Sequence, residues 1–164
     1  MHKTEAPSGP LFNPRVPGID YGVLDTLVGY GVRRAQLTMN DRFIRALAHW
    51  NITPPRFSAL VVISRNPGLK LTQLAQVLGI ARSGAVMLVD ALEDLGYVER
   101  LQVPEDRRAF GLALTGKGQQ DLAGIIQAVE RQDQLAAGAL SASEQAQLLR
   151  LLQKIAATPL LSTL

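Results

Sequence analysis

The chain has 164 residues, enough for one domain with a real core and short for two. Hydrophobic residues make up 47% of it and the formal charge is +3, which excludes a disordered polyelectrolyte, and no apolar run approaches the ~18 residues of a membrane span. The absence of cysteine removes disulfides, thiolate nucleophiles, cysteine-based oxidant sensing and Cys-containing zinc sites.

Residues 1–18 contain Pro7, Pro10, Pro14 and Pro17 and read as a flexible, Pro-rich arm. The arm has no apolar h-region, so no secretory signal is expected and the chain is expected in the cytoplasm. From Asp20 onward Leu24, Leu27, Val28, Val32, Ala35, Met39, Phe43 and Leu47 recur at threes and fours, which predicts one long helix ending near Trp50-Asn51. Thr53-Pro54 predicts the next helix start, an N-cap hydroxyl followed by proline at the first helical position. That helix carries Phe57, Leu60, Val61 and Ile63 and stops at the turn Asn66-Pro67-Gly68.

Thr72 is expected to cap a short helix bearing Leu74, Ala75 and Leu78, broken by Gly79. A second helix is expected from about Arg82, with Val86, Val89, Leu92 and Leu95 on one face and Gly96 as its C-terminal cap. Two short helices about a glycine turn match the helix-turn-helix pattern. Residues 97–103 and 109–114 then read as two strands of a hairpin, a wing, joined by a turn that holds Pro104, Glu105, Asp106, Arg107 and Arg108. Thr115 is placed to cap a further helix, weakened at its start by Gly116 and Gly118 and running to about Ala137. Ser141 and Glu144 form a capping box, and the last helix carries Leu148, Leu149, Leu151, Leu152 and Ile155. Its apolar arc, like that of the first helix, is too wide for the surface of a monomer.

Arginine supplies 13 of the 17 cations. It suits bidentate contact to phosphate and guanine, although genome composition can produce the same bias. The two histidines, His2 and His49, have no ligand-spaced partners, and no nucleophile–base pair, metal cluster or phosphate-cradling glycine loop stands out. An enzyme is therefore not expected.

In the stretch "LTQLAQVLGIARSGAVMLVDALEDLGYVERLQVPEDRRAFGLALTGKG", the order and spacing of Leu92-Glu93, Gly96-Tyr97-Val98-Glu99-Arg100, Asp106-Arg107-Arg108 and Leu114-Thr115-Gly116-Lys117-Gly118 carry a resemblance. So does "ITPPRF" at the opening of the second helix. The chain resembles the MarR family of winged-helix transcription regulators over roughly residues 20–157. The resemblance implies a mainly α fold with a small β-hairpin wing. A winged helix-turn-helix (53–115) would be flanked by N-terminal (19–52) and C-terminal (116–164) dimerisation helices. It further implies a homodimer on a near-palindromic DNA operator, repression, and release by a small effector, an aromatic or phenolic acid or its thioester. No cofactor and no membrane are implied.

Carried over residue by residue, the resemblance points to Asp106 orienting Arg108 toward the minor groove, with Arg107 at phosphate. Arg82 and Ser83 would reach base edges from the recognition helix, Gly84 would allow close approach, and Thr72 and Gln73 would meet phosphates; capping alone is an equal reading of Thr72. Family members often carry Thr or Arg where this chain has Gly84, Val86, Met87 and Ala91, so fewer hydrogen-bond donors are available for base readout. Arg56, where glutamine is common, either reaches phosphate or decorates its helix. The effector pocket is expected around Arg33, Arg34, Met39, His49, Trp50 and Phe57, although core packing and surface solvation explain the same residues. A winged-helix module that binds protein instead of DNA stays open as the alternative, since it fits an apolar recognition helix.

Overall fold

The computed structural model describes residue 13, residues 15–103 and residues 106–157, and for 103 and 106–109 the backbone alone. Six helices and three short strands follow one another along these residues. A 3-10 turn, Gly22–Thr26, precedes α1 (Val28–Ala46), and a second, Ala48–Trp50, follows it. The single long first helix expected from periodicity is therefore interrupted at both ends. At the first break Gly22 takes a positive φ while its N–H donates to the Asp20 carboxylate, and Leu27 is extended. The periodic stripe runs across this break because a 3-10 turn and an α-helix share similar repeats. At the second, Asn51 adopts a left-handed conformation with φ 56°.

Helix α2 (Pro54–Arg65) begins where Thr53-Pro54 predicted, but the Thr53 side chain makes no capping hydrogen bond. The missing donor of proline at the first helical position already leaves one fewer N–H to satisfy. Strand β1 (Leu69–Lys70) leads into α3 (Leu71–Leu78), which starts before Thr72. Thr72 is thus inside the helix and not its cap. The N-terminal turn is closed instead by Gln73, whose side-chain oxygen accepts from the Lys70 N–H at 3.0 Å. Gly79, at φ +64°, ends α3 in the left-handed region that glycine enters without a Cβ penalty. The chain then turns by 107° into α4 (Arg82–Asp94), completing the helix-turn-helix.

Strands β2 (Val98–Val103) and β3 (Asp106–Leu114) form the wing, an antiparallel ladder with an irregularity at Gln102/Val103. β1 adds to the free side of β3, pairing Leu69 with Leu112, so the sheet order is β1-β3-β2. This third strand escaped the sequence reading because two residues are too few to show alternation. Helix α5 (Gly116–Ala136) and helix α6 (Ala142–Ala156) complete the chain. Both are capped as their sequences demand. The Gly118 N–H donates to Thr115 Oγ1, and Ser141 and Glu144 satisfy each other's backbone N–H groups. The Ser141 hydroxyl and N–H both donate to the Glu144 carboxylate and hold its pKa below the ordinary glutamate value.

The core lies in the winged unit and the helices that brace it. Leu60 and Ile63 of α2, Leu74 of α3, Val89 and Leu92 of α4, Leu112 of β3 and Ile125 of α5 are fully buried together. By contrast, neither α1 nor α6 buries a single residue. Leu24, Leu27, Val28, Leu148, Leu149, Leu151 and Ile155 are exposed on these two ends of the chain. Among the described residues no single helix is long and apolar enough to cross a membrane.

Helix α5 meets the wing at one tight contact. A Cβ placed on Gly118 would collide with the Tyr97 backbone carbonyl. Alanine would gain up to about 1 kcal/mol over glycine from helix propensity, whereas overpacking costs about 1–3 kcal/mol. Gly118→Ala is therefore expected to lower the melting temperature by several degrees, read by circular dichroism; an increase would show that the contact is not limiting.

Candidate nucleic-acid interface and ligand cavity

The recognition helix α4 buries Ala85, Val89 and Leu92 against the core and leaves Arg82, Ser83, Met87, Asp90 and Asp94 exposed. Arg82 occupies the first turn, where the helix dipole is positive and a cation is locally disfavoured. An external anion there would be bound by both the guanidinium and the free N–H groups of the turn. Ser83 stands exposed beside it, and Gly84 is half-buried with only the Ile80 side chain near its missing Cβ. Thr72 is exposed on α3, and so is Gln73, whose side-chain oxygen is committed to the helix start. Met87 is 73% exposed, and Val77 and Ile80 are also solvent-facing, so the outer side of the helix-turn-helix is apolar at its middle. The side chains of Asp106, Arg107 and Arg108 lie outside the described residues.

Arg56 is engaged within the protein. Its guanidinium donates to the Asn51 carbonyl at 2.8 Å and to Asn51 Oδ1 at 3.1 Å, bracing the left-handed turn before α2. Sequence reasoning also missed Arg100, on β2. Its two terminal nitrogens lie 2.6 Å from Asp90 and 2.6 Å from Glu93 of α4, tying the wing to the recognition helix. The pairing joins residues ten and seven positions apart across a loop, and no local periodicity marks it.

A cavity of about 500 Å³ opens between α1, α2, α5 and α6. Val32, Ala35, Met39 and Phe43 wall it from α1, Phe57 from α2, Val129 and Ala136 from α5, and Leu148 and Leu152 from α6. Among the described residues its polar lining consists of Gln36, Asn40, Ser58, Gln132 and Asp133, with no lysine or arginine. Of the expected effector residues, Met39 and Phe57 line this cavity and the other four do not. Trp50 is half-buried against the core, near Gly124, and the His49 ring lies against it at a tilt of 40°, with centroids 3.5 Å apart. Arg34 points to the opposite side of α1, its guanidinium 4.7 Å from the Tyr21 ring centroid and 5.3 Å from that of Tyr30. Arg33 is exposed, and the 3.6-residue repeat puts it at the edge of the cavity-facing stripe. The polar lining residues were not legible because glutamine and asparagine at helical spacing read as a solvated face.

A helix-turn-helix with a β-hairpin wing, carrying an arginine at the start of its recognition helix, defines a winged-helix DNA-binding protein. The matching family model, described as MarR family, covers residues 50–109. A protein of Thauera aromatica, provisionally named as the transcriptional regulator of the hcr operon, is 37% identical over 82% of this chain and 82% of its own length. The transcriptional repressor CouR, solved on a 23-mer DNA duplex, superposes with a TM-score of 0.80 at 37% identity, covering 84% of this chain and 98% of that one. CouR bound to p-coumaroyl-CoA gives a TM-score of 0.79 at 34% identity, covering 86% and 99%. The chain belongs to the MarR family and is a transcriptional regulator of the repressor type, not an enzyme.

Because the Arg56 guanidinium is spent on Asn51, Arg56→Gln is expected to cost about 1.5 kcal/mol of folding stability. Its affinity for DNA should change less than about twofold, as expected for a cation that meets no phosphate. A large loss of affinity with unchanged denaturation would instead place Arg56 at phosphate.

Proposed function

We propose that the protein is a homodimeric repressor that binds a near-palindromic operator in the cytoplasm and is released by an aromatic acyl thioester. The observation that carries the effector class is the lining of the cavity. A free aromatic carboxylate would enter an apolar space with Asp133 in its wall and no cation to offset its charge, which burial penalises heavily. The acyl carbonyl of a thioester is neutral and suits the side-chain amides of Gln36, Asn40 and Gln132, whereas the Ser58 hydroxyl already donates to the Pro54 carbonyl at 3.1 Å. Arg33, at the edge of the stripe, is placed for the anionic remainder of such a ligand outside. Arg34, His49 and Trp50 have no contact with the acyl group in this reading. CouR in complex with p-coumaroyl-CoA supports the same ligand class.

The dimer is supported by the exposed aliphatic residues of α6 and of the segment leading into α1, none of them buried by the chain itself. A symmetric pair would cover them, and two-fold symmetry calls for a two-fold DNA site. In this reading Arg82 and Ser83 meet base edges, Gly84 admits the backbone, Thr72 lies at phosphate, and Arg108, oriented by Asp106, enters the minor groove beside Arg107. The hydroxyl of Thr72 is free for that contact because it caps nothing. Gln73, whose oxygen holds the helix start, keeps its Nε2 donors for the same phosphate. The exposed Val77, Ile80 and Met87 favour a second reading, a protein-binding winged helix.

Fluorescence anisotropy with duplex DNA from the protein's own upstream region separates the two readings. Operator binding should weaken steeply with salt through counterion release. Arg108→Ala should cost about 1–3 kcal/mol, roughly five- to 150-fold in affinity. Salt-indifferent binding, or none, would favour the protein-binding module. In the same assay p-coumaroyl-CoA is expected to release DNA at concentrations where free p-coumarate does not; release by p-coumarate alone would overturn the thioester assignment.

A further inference from the structure

The outer side of α4 is poorly matched to a polyanion along half its length. Arg82 and Ser83 begin it, but Asp90 and Asp94 are exposed further on and Glu93 is half-buried between them. Left to themselves, these carboxylates would face the phosphates flanking any groove that received the helix. Arg100 alters that. From β2, where it pairs with Leu112, its side chain reaches across to α4 and binds Asp90 Oδ1 and Glu93 Oε2 at 2.6 Å each. The Arg100 side chain is 33% exposed, against 52% for Asp90 and 27% for Glu93. A planar fork of this kind holds both carboxylates in fixed directions, which a lysine would not do. Ion pairs exposed to this degree add little to folding, so their effect on the field around the helix outweighs their effect on stability.

We propose that Arg100 is a positioning residue for DNA binding that acts through charge. By holding Asp90 and Glu93 it cancels half of their combined negative charge and keeps both carboxylates turned toward the wing, so that α4 can approach the phosphates. The inference rests on the reading of α4 as the DNA-binding helix. It identifies an arginine that contributes to DNA affinity without touching DNA.

The test is an anisotropy titration of the full chain on the same duplex, at low and at moderate salt, with three variants. Arg100→Gln is expected to weaken binding about tenfold at low salt, because like charges brought together at an interface oppose association. The deficit should shrink as salt rises and the repulsion is screened. The triple variant Asp90→Asn/Glu93→Gln/Arg100→Gln, with the charges gone, should return to within about threefold of wild type. Asp90→Asn/Glu93→Gln, with Arg100 kept, should bind at least as tightly as wild type. Unchanged binding by Arg100→Gln would overturn the proposal. So would a triple variant as weak as Arg100→Gln, or a weaker double variant, since either would make the tie itself decisive and not the charge. Should Arg100→Gln fail to fold, the other two variants still decide, because neither leaves a carboxylate without its partner. Absence of binding by wild-type protein is a separate outcome that overturns the DNA-binding reading and this proposal with it.

Discussion

The contact on which the rest of the structure depends is the seating of α5 against the start of the wing. Gly96, at φ +73°, ends α4 and turns the chain into β2. Thr115 closes β3 by donating its N–H to the Tyr97 carbonyl at 3.0 Å and its hydroxyl to the Gly96 carbonyl, while its oxygen accepts from Gly118. Gly118 lies so close to the Tyr97 backbone that no side chain fits. The Tyr97 ring is buried, with the Lys117 ammonium 3.4 Å from its centroid and its hydroxyl directed at the Trp50 carbonyl over a long 3.4 Å. Four residues therefore join the ends of α4, β2, β3 and α5, and Tyr97 reaches the turn between α1 and α2. Gly118, which weakens the start of α5 by propensity, is what permits this approach.

Helix α5 carries the consequence to the other end of the molecule. It starts at the wing and, about 20 Å further along at 1.5 Å per residue, presents Val129, Gln132, Asp133 and Ala136 to the cavity. One continuous helix is thus both the brace of the winged unit and a wall of the cavity. The fourth wall, α6, buries nothing of its own, so the cavity is bounded on one side by the element least held by its own chain.

Much of this was legible in the sequence where the signals are local. The Thr115 cap and the Ser141–Glu144 box span three residues each, and the glycine between α3 and α4 has a conformation that glycine adopts freely. The hairpin followed from alternation, but Asp106, Arg107 and Arg108, expected in its turn, begin strand β3 instead. What failed was what depends on backbone detail or on distant pairing. Thr72 looked like a cap because hydroxyls often are, yet the helix begins one residue earlier and Gln73 closes it. The first helix looked continuous because a 3-10 turn at Gly22–Thr26 keeps nearly the same apolar spacing. At the cavity, choosing cations and aromatic rings also selected Arg33, Arg34, His49 and Trp50, which do not line it, whereas helix geometry turns the 31, 32, 35, 36, 39 face of α1 inward. The Arg100 pairs joined two elements whose contact is visible only in the fold.

The cavity itself bears on function through what it costs. Interiors close-pack, and apolar space left unfilled forfeits dispersion contacts with every atom along its wall. Small residues line it where larger ones would fill it: Gly31, Ala35 and Ala136 come from three positions on two helices. Replacing them with leucine would be compatible with helix propensity and would close much of the space. With small residues there, beside Phe43 and Phe57 whose rings make an edge-on contact at 5.9 Å, the space stays open. The same void lowers the resistance of α1 and α6 to rearrangement, because fewer contacts must break when they move. The open space and the sparse packing of its walls thus have one physical origin, the small side chains on α1 and α5.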